Sequence, residues 1–235
     1  MFLKIPSHLK ELRFLQLTIF TVIFLIVSPP LGNTIIFKIS AQLFFLNSLL
    51  VSLSASGKKI RLRGLLWSLW AASVLFFLLA ASGYAWELRL WWHGLEIGSI
   101  TLLLLCCVAA TLSFIFQSQR IHLDTIFAAV MAYFLIAMIF AQIYALLMIG
   151  EPASFKFPYS AAMDSDNIFR SDLVYFSLVT IATLGYGDIV PQVGLAKMLV
   201  VVEAVVGQFY VAVLVAWLVG MLISQSLRPG HPEGK

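Results

Sequence analysis

The chain has 235 residues, 61% of them hydrophobic and only 11% charged, and a mean hydropathy of +0.99, which excludes a globule with a fully solvated surface. Its net charge of +4 at pH 7 does not point to nucleic acid, because the basic residues stand at the ends of apolar runs and form no patch interleaved with aromatics. The two cysteines, Cys106 and Cys107, adjoin within one apolar run, where they cannot staple distant segments or match a metal-site spacing.

A helix needs about 20 apolar residues to cross a hydrocarbon core roughly 30 Å thick. Six predicted helices meet that length, at residues 12–27, 34–54, 65–82, 95–116, 126–149 and 192–224. Lys4, Lys10 and Arg13 precede the first one's apolar stretch, Phe14 to Val27, in the outline of a secretory signal, but Ser28-Pro29-Pro30 lacks the small-residue pattern a peptidase reads, so it is expected to stay as an uncleaved span. The second carries Lys38, Gln42 and Asn47. These either line a polar site or make interhelical hydrogen bonds, with Lys38 snorkelling outward.

A basic loop, 57–64, leads to the third helix, which has Trp67 and Trp70 near one end; Trp86, Trp91 and Trp92 follow in an aromatic loop with His93. Both groups suit interfacial belts. The fourth helix holds no basic residue between Leu95 and Phe116, so it lacks the Arg or Lys at every third position that a voltage sensor needs. Placing both termini in the cytoplasm leaves ten Lys and Arg on that side and five on or near the other, which satisfies the positive-inside rule.

Between the fifth and sixth spans, the apolar run 171–182 makes about three helical turns, too few to cross a bilayer, and reads as a re-entrant helix. Ser171 or Asp172 can cap its start, and its C-terminal end, partly negative, points where a cation needs stabilising. Thr183-Leu184-Gly185-Tyr186-Gly187-Asp188 follows at once. An ion crossing lipid must exchange its water shell for other oxygens, and a ring of backbone carbonyls supplies them. Carbonyls can face one axis only where some residues adopt left-handed dihedrals, which Gly185 and Gly187 tolerate. Thr183 adds a hydroxyl at the inner end. Tyr186 can turn its ring outward and brace the loop against the short helix.

These residues resemble the potassium channels, whose filter T-V-G-Y-G matches Thr183, Leu184, Gly185, Tyr186 and Gly187 with Leu in place of Val. Tyr175-Phe176-Ser177 upstream and Asp188-Ile189-Val190-Pro191 downstream extend the resemblance to prokaryotic two-helix pore domains over about residues 124–226. The resemblance implies K+ held by Thr183, Leu184, Gly185 and Tyr186, with Tyr175, Phe176 and Thr180 supporting the filter. Departures are Ala182 where a second threonine is frequent, Tyr175 and Phe176 where voltage-gated members carry tryptophans, and Val179 where some bacterial members hold a carboxylate. They bear on filter rigidity more than on selectivity.

In such a pore domain Gly207, nineteen residues past Asp188, holds the place of a hinge glycine. Gly207, Val211, Val215, Val219 and Ile223 recur every four residues and read either as a packing seam or as a stripe lining the cavity, with Gly207 a hinge or a close-packing site. Glu203, deep in the sixth span, needs a partner: it is a strut bonded to short-helix hydroxyls such as Ser177 or Thr180, or it meets ions directly. From 151 to 191 five acids, Glu151, Asp164, Asp166, Asp172 and Asp188, face two bases, Lys156 and Arg170, for a net charge of -3 per chain that gathers cations at a mouth or belongs to an ordinary solvated loop.

The expected fold is an all-α integral membrane protein of six transmembrane helices, with a re-entrant pore helix and selectivity-filter loop between the fifth and sixth. Residues 1–120 form a four-helix transmembrane domain and 121–235 the pore domain. One filter per chain implies a homotetramer in the cell membrane, conducting K+ without a cofactor and without steep voltage dependence. Any cytosolic sensing module belongs to another chain or is absent. A membrane enzyme is the rival class, but His8, His93, His122 and His231 lie in tails or loops and form no catalytic pair. A regulatory subunit or non-selective cation channel remains the alternative.

Overall fold

The computed structural model describes residues 13–31, 35–55, 60–82, 88–118, 122–158 and 171–226. Both termini, Lys58, Lys59, Trp86, Arg120, Asp164, Asp166, Arg170 and the side chains of Lys38 and Val215 lie outside the described residues. Seven α-helices run in chain order among those described: α1 Arg13–Leu31, α2 Ile35–Ala55, α3 Ile60–Ala81, α4 Arg89–Gln117, α5 Leu123–Gly150, α6 Ser171–Ile181 and α7 Gly194–Ser226.

Three stretches are long and apolar enough to cross a membrane: Leu90–Gln117, Leu123–Gly150 and Gly194–Ser224. The described apolar stretches of the first three helices are shorter, at Phe14–Leu25, Ile39–Leu53 and Gly64–Ala80. The all-α expectation gains one exception. Strands β1 Phe155–Lys156 and β2 Val190–Pro191 pair antiparallel, Phe155 opposite Pro191 and Lys156 opposite Val190.

Several boundaries differ from those read in the sequence. Trp91, Trp92 and His93, read as a loop, form the first turns of α4. No proline falls between Arg89 and Gln117, and the isolated glycines Gly94 and Gly98 do not stop a helix. Trp92 then stacks on Phe76 of α3, ring centroids 6.3 Å apart. At the other end of α3 the helix begins at Ile60, inside the basic stretch read as a loop.

The link of five residues between α4 and α5 makes them antiparallel neighbours. Helix α3 packs on α4, α2 on α1 and α4, α1 on α5, and α6 between α5 and α7. In α1 the buried face is Phe14, Leu17, Thr21 and Phe24, recurring at helical spacing. Thr18 and Thr21 donate to the carbonyls four residues back, both at 2.8 Å, which lets their hydroxyls sit in apolar surroundings. The Phe14 N–H donates to Asp124 Oδ1 at 2.9 Å and ties the start of α1 to the start of α5. Phe24 stacks on Phe44 of α2.

One apolar cluster runs from Phe14 and Phe44 through Leu104 and Met131 to Val174, Leu214 and Leu218. Three helices of the first half also share a polar knot. Gln42 Nε2 donates to Glu96 Oε1, the Ser73 hydroxyl to Gln42 Oε1, and His93 Nδ1 faces Glu96 Oε2, each at 3.4 Å. Gln42 thus makes the interhelical bonds that suit a polar side chain between apolar helices.

Candidate pore segment

Helix α6 is short because its sequence turns sharply after Ile181, and it is buried on almost every side: Leu173, Val174, Phe176, Ser177, Val179, Thr180 and Ile181 are all enclosed. A helix apolar all round belongs inside a protein or a membrane. Phe176 closes a triangle with Tyr144 of α5 and Phe155, ring centroids 5.2 to 5.5 Å apart and edge-to-face. Edge-to-face pairs contribute about 0.5 to 1.5 kcal/mol each beyond their buried area. The β1–β2 ladder and the Gln192 N–H to Ser154 carbonyl bond, 2.8 Å, close the far end of the segment onto α5.

The carbonyls ending α6 are all engaged. Leu178 O accepts from Ala182 N–H, Thr180 O from Thr183 N–H, and Val179 O from Leu184 N–H at 2.9 Å and Gly185 N–H at 3.4 Å. Ile181 O accepts from the Tyr133 hydroxyl of α5 at 2.9 Å. The helix end thereby fixes the start of the loop. Thr180, expected as a support, contributes its carbonyl here.

From that anchor the backbone alternates. Thr183 (φ 58°), Gly185 (φ 56°) and Gly187 (φ 78°) are left-handed, and Leu184 and Tyr186 between them are not. Nothing crowds a Cβ built at Gly185 or Gly187, so the glycines answer to backbone conformation and not to space within the chain. Thr183 has that conformation without being glycine, which sequence reasoning did not foresee. Every residue from Ala182 to Asp188 is exposed, Leu184 at 59% and Tyr186 at 67%. The chain that carries Tyr186 leaves most of its ring uncovered.

Tyr175, the exposed residue of α6, donates its hydroxyl to Asp188 Oδ2 at 2.8 Å, and Ile189 N–H donates to Oδ1 at 3.0 Å. The Tyr175 bond, aided by the backbone N–H, holds the Asp188 carboxyl below the usual carboxylate range, so it carries its charge at neutral pH.

Behind the loop, Glu203 of α7 is fully buried. The Ser177 hydroxyl meets its Oε1, and the Tyr144 hydroxyl donates to its Oε2 at 2.5 Å. Ser177 also stands 2.6 Å from the Ala137 carbonyl of α5. A serine hydroxyl has one hydrogen for these two oxygens. Both contacts are hydrogen bonds when Ser177 donates to Ala137 and a neutral Glu203 carboxyl donates to Ser177. Sequence reasoning named Ser177 and missed Tyr144, which lies 59 residues away with no local signal.

Gly207 sits one turn beyond Glu203, and a Cβ there would stand 2.5 Å from Ile181 O and 2.6 Å from Ile181 Cγ1. It lies on the buried face of α7 with Ala196, Glu203 and Leu214, whereas Val211, Val219 and Ile223 are exposed. Gly207 therefore parts from Val211, Val219 and Ile223, the other described members of the stripe read in the sequence. A step of four residues overshoots a helical turn by about 40°, so four steps turn the direction by about 160°. Next to Gly207, the Gln208 amide Nε2 donates to Thr183 Oγ1 at 3.3 Å.

A family model described as "Ion channel" matches residues 100–224. The chain is 34% identical over 120 residues to Protein LctB of Bacillus caldotenax, covering 51% of this chain and 83% of that protein. It is 32% identical over 119 residues to Protein LctB of Geobacillus stearothermophilus, covering 51% and 83% respectively. No solved structure matches.

Proposed function

The chain belongs to the ion channel family, whose match spans more than half of its 235 residues, and from that premise we propose that it is one subunit of a tetrameric, K+-selective channel of the cell membrane. The observation that carries the reading is the alternation of left-handed backbone at Thr183, Gly185 and Gly187 in an exposed segment launched by a buried short helix. Alternating the hand of successive residues turns successive carbonyls toward one side. Four copies set about an axis then offer rings of oxygen from Thr183, Leu184, Gly185 and Tyr186 that replace the hydration shell of K+.

The work divides among residues of this chain. Asp188 gathers cations at the outer mouth by its charge. Tyr175 orients Asp188, the aromatic triangle of Tyr144, Phe155 and Phe176 fixes the pore helix, and Glu203 ties that helix to α7 through Ser177. Val211, Val215, Val219 and Ile223 line the apolar cavity below the filter, and Gly207 serves close packing on Ile181. Leu184, Tyr186, Val202, Val205 and Phe209, exposed on one chain, are what neighbouring copies and lipid cover. Six spans with both termini in the cytoplasm follow from the apolar runs and the distribution of Lys and Arg. No helix carries voltage-sensing arginines, so the channel opens without steep voltage dependence.

Purified protein in K+-loaded vesicles tests the reading. Dilution into Na+ medium with a protonophore present should release K+ selectively and drive proton uptake, and Na+-loaded vesicles in K+-free medium should stay silent. Equal flux of the two cations would retire selectivity.

A further inference from the structure

Helix α7 comes near the filter because of one missing side chain. Gly207 leaves room for Ile181 O and Cγ1 where a Cβ would otherwise stand, so the α7 backbone closes on the end of the pore helix. The next residue is an amide on an otherwise largely apolar helix, and it reaches the loop: Gln208 Nε2 stands 3.3 Å from Thr183 Oγ1. Both residues are exposed on the single chain, on the side where the filter begins.

We infer that Gln208 is a specificity-determining residue for cations at the Thr183 end of the filter, weakening the hold of the Thr183 hydroxyl on a dehydrated cation. The inference rests on the K+-channel reading and assigns a second residue to its innermost ion position. A hydroxyl oxygen has two lone pairs and one hydrogen. The amide donor occupies one lone pair and sets a partly positive hydrogen beside the place a cation takes up. In a pore of low effective dielectric that repulsion is felt strongly. The effect grows with the charge of the cation, so a divalent ion of K+ size, Ba2+, is penalised more than K+ itself. Fourfold repetition sets four such donors around one ion. The arrangement holds K+ loosely enough at the cavity end for it to leave, which rapid conduction requires.

The test is Ba2+ block of single channels of the full chain, with Ba2+ applied from the Thr183 side and, separately, from the Asp188 side. Gln208→Met keeps length and removes the donor; Gln208→Glu keeps shape and replaces the donor with an acceptor. Block from the Thr183 side should tighten roughly fivefold in Gln208→Met, on the scale of one hydrogen bond, and more in Gln208→Glu. The association rate from the Asp188 side should not change, which a general loosening of the pore could not produce. If Gln208→Met fails to assemble, Gln208→Glu alone carries the comparison. Unchanged or weakened block in a variant that conducts, with a K+-selective wild type, would overturn the inference and leave the channel reading standing. A wild type that does not prefer K+ would overturn both.

Discussion

Tyr144 of α5 and Glu203 of α7, 59 residues apart, meet at 2.5 Å between the phenol oxygen and Oε2 behind the loop that follows α6. Their contact joins α5 to α7 through a carboxyl that Ser177 of α6 also touches. Three elements thus depend on one fully buried group. Buried polar groups are tolerated when every partner is present and costly when one is lost.

The hydrogen count around Ser177 makes Glu203→Gln mild and Glu203→Leu severe. A Gln amide can donate to Ser177 and accept from Tyr144, as a neutral carboxyl does. Thermal unfolding in detergent should show Glu203→Gln within about 1 kcal/mol of wild type, and Glu203→Leu, which orphans the Tyr144 hydroxyl and leaves Ser177 only its bond to Ala137, lower by about 1 to 3 kcal/mol. Infrared spectra should contain a protonated carboxyl band at neutral pH that Glu203→Gln removes. Absence of that band in wild type would contradict the neutral assignment.

Gly207→Ala must displace Ile181, whose carbonyl and Cγ1 lie 2.5 and 2.6 Å from the new methyl. The carbonyl is backbone, held in turn by Tyr133 at 2.9 Å, so it cannot swing aside. The substitution should destabilise the protein by about 1 to 3 kcal/mol, where Gly220→Ala, with open space around it, should not. Equal unfolding temperatures for the two variants would refute the close-packing role.

The Tyr175 hydroxyl keeps Asp188 ionised to lower pH than an ordinary carboxylate. A depressed carboxylate contributes its interaction at neutral pH and loses it as pH falls through the lowered value, below the usual range near about 4. Tyr175→Phe removes the largest cause of the depression. The acid pH at which current falls, measured with protons added on the Asp188 side, should therefore rise in the variant. An unchanged or lower midpoint would separate Asp188 from Tyr175.

The sequence made the pore segment legible because its signals are local. Gly185 and Gly187 stand out where the chain must turn left-handed, and an apolar run of 11 residues in α6 is too short to span a bilayer. Ser177 as a partner of Glu203 could be reasoned from the cost of a lone carboxyl in lipid. Tyr144 could not, because a tyrosine in an apolar helix looks like any core aromatic until tertiary structure brings α5 beside α7. Thr183 gave no warning, since a left-handed threonine is strained by itself and is held here by the pore-helix carbonyls. Trp91-Trp92-His93 misled in the other direction: amphipathic side chains imitate a loop, yet the backbone beneath them continues a helix. Gly207 left the stripe it was read into because steps of four residues drift round a helix.

The measurement that bears most directly on the central claim is the reversal potential of the reconstituted full chain in a planar bilayer with K+ on one side and Na+ on the other. Rings of main-chain oxygen built on the left-handed positions predict a zero-current potential far from zero, with the sign of K+ flow. Gly185→Ala, which puts a side chain at φ 56° and costs about 1 to 3 kcal/mol of backbone strain, should abolish that potential or the current with it. A wild-type potential at zero, or a Gly185→Ala channel that selects K+ as well as the wild type does, would contradict the account.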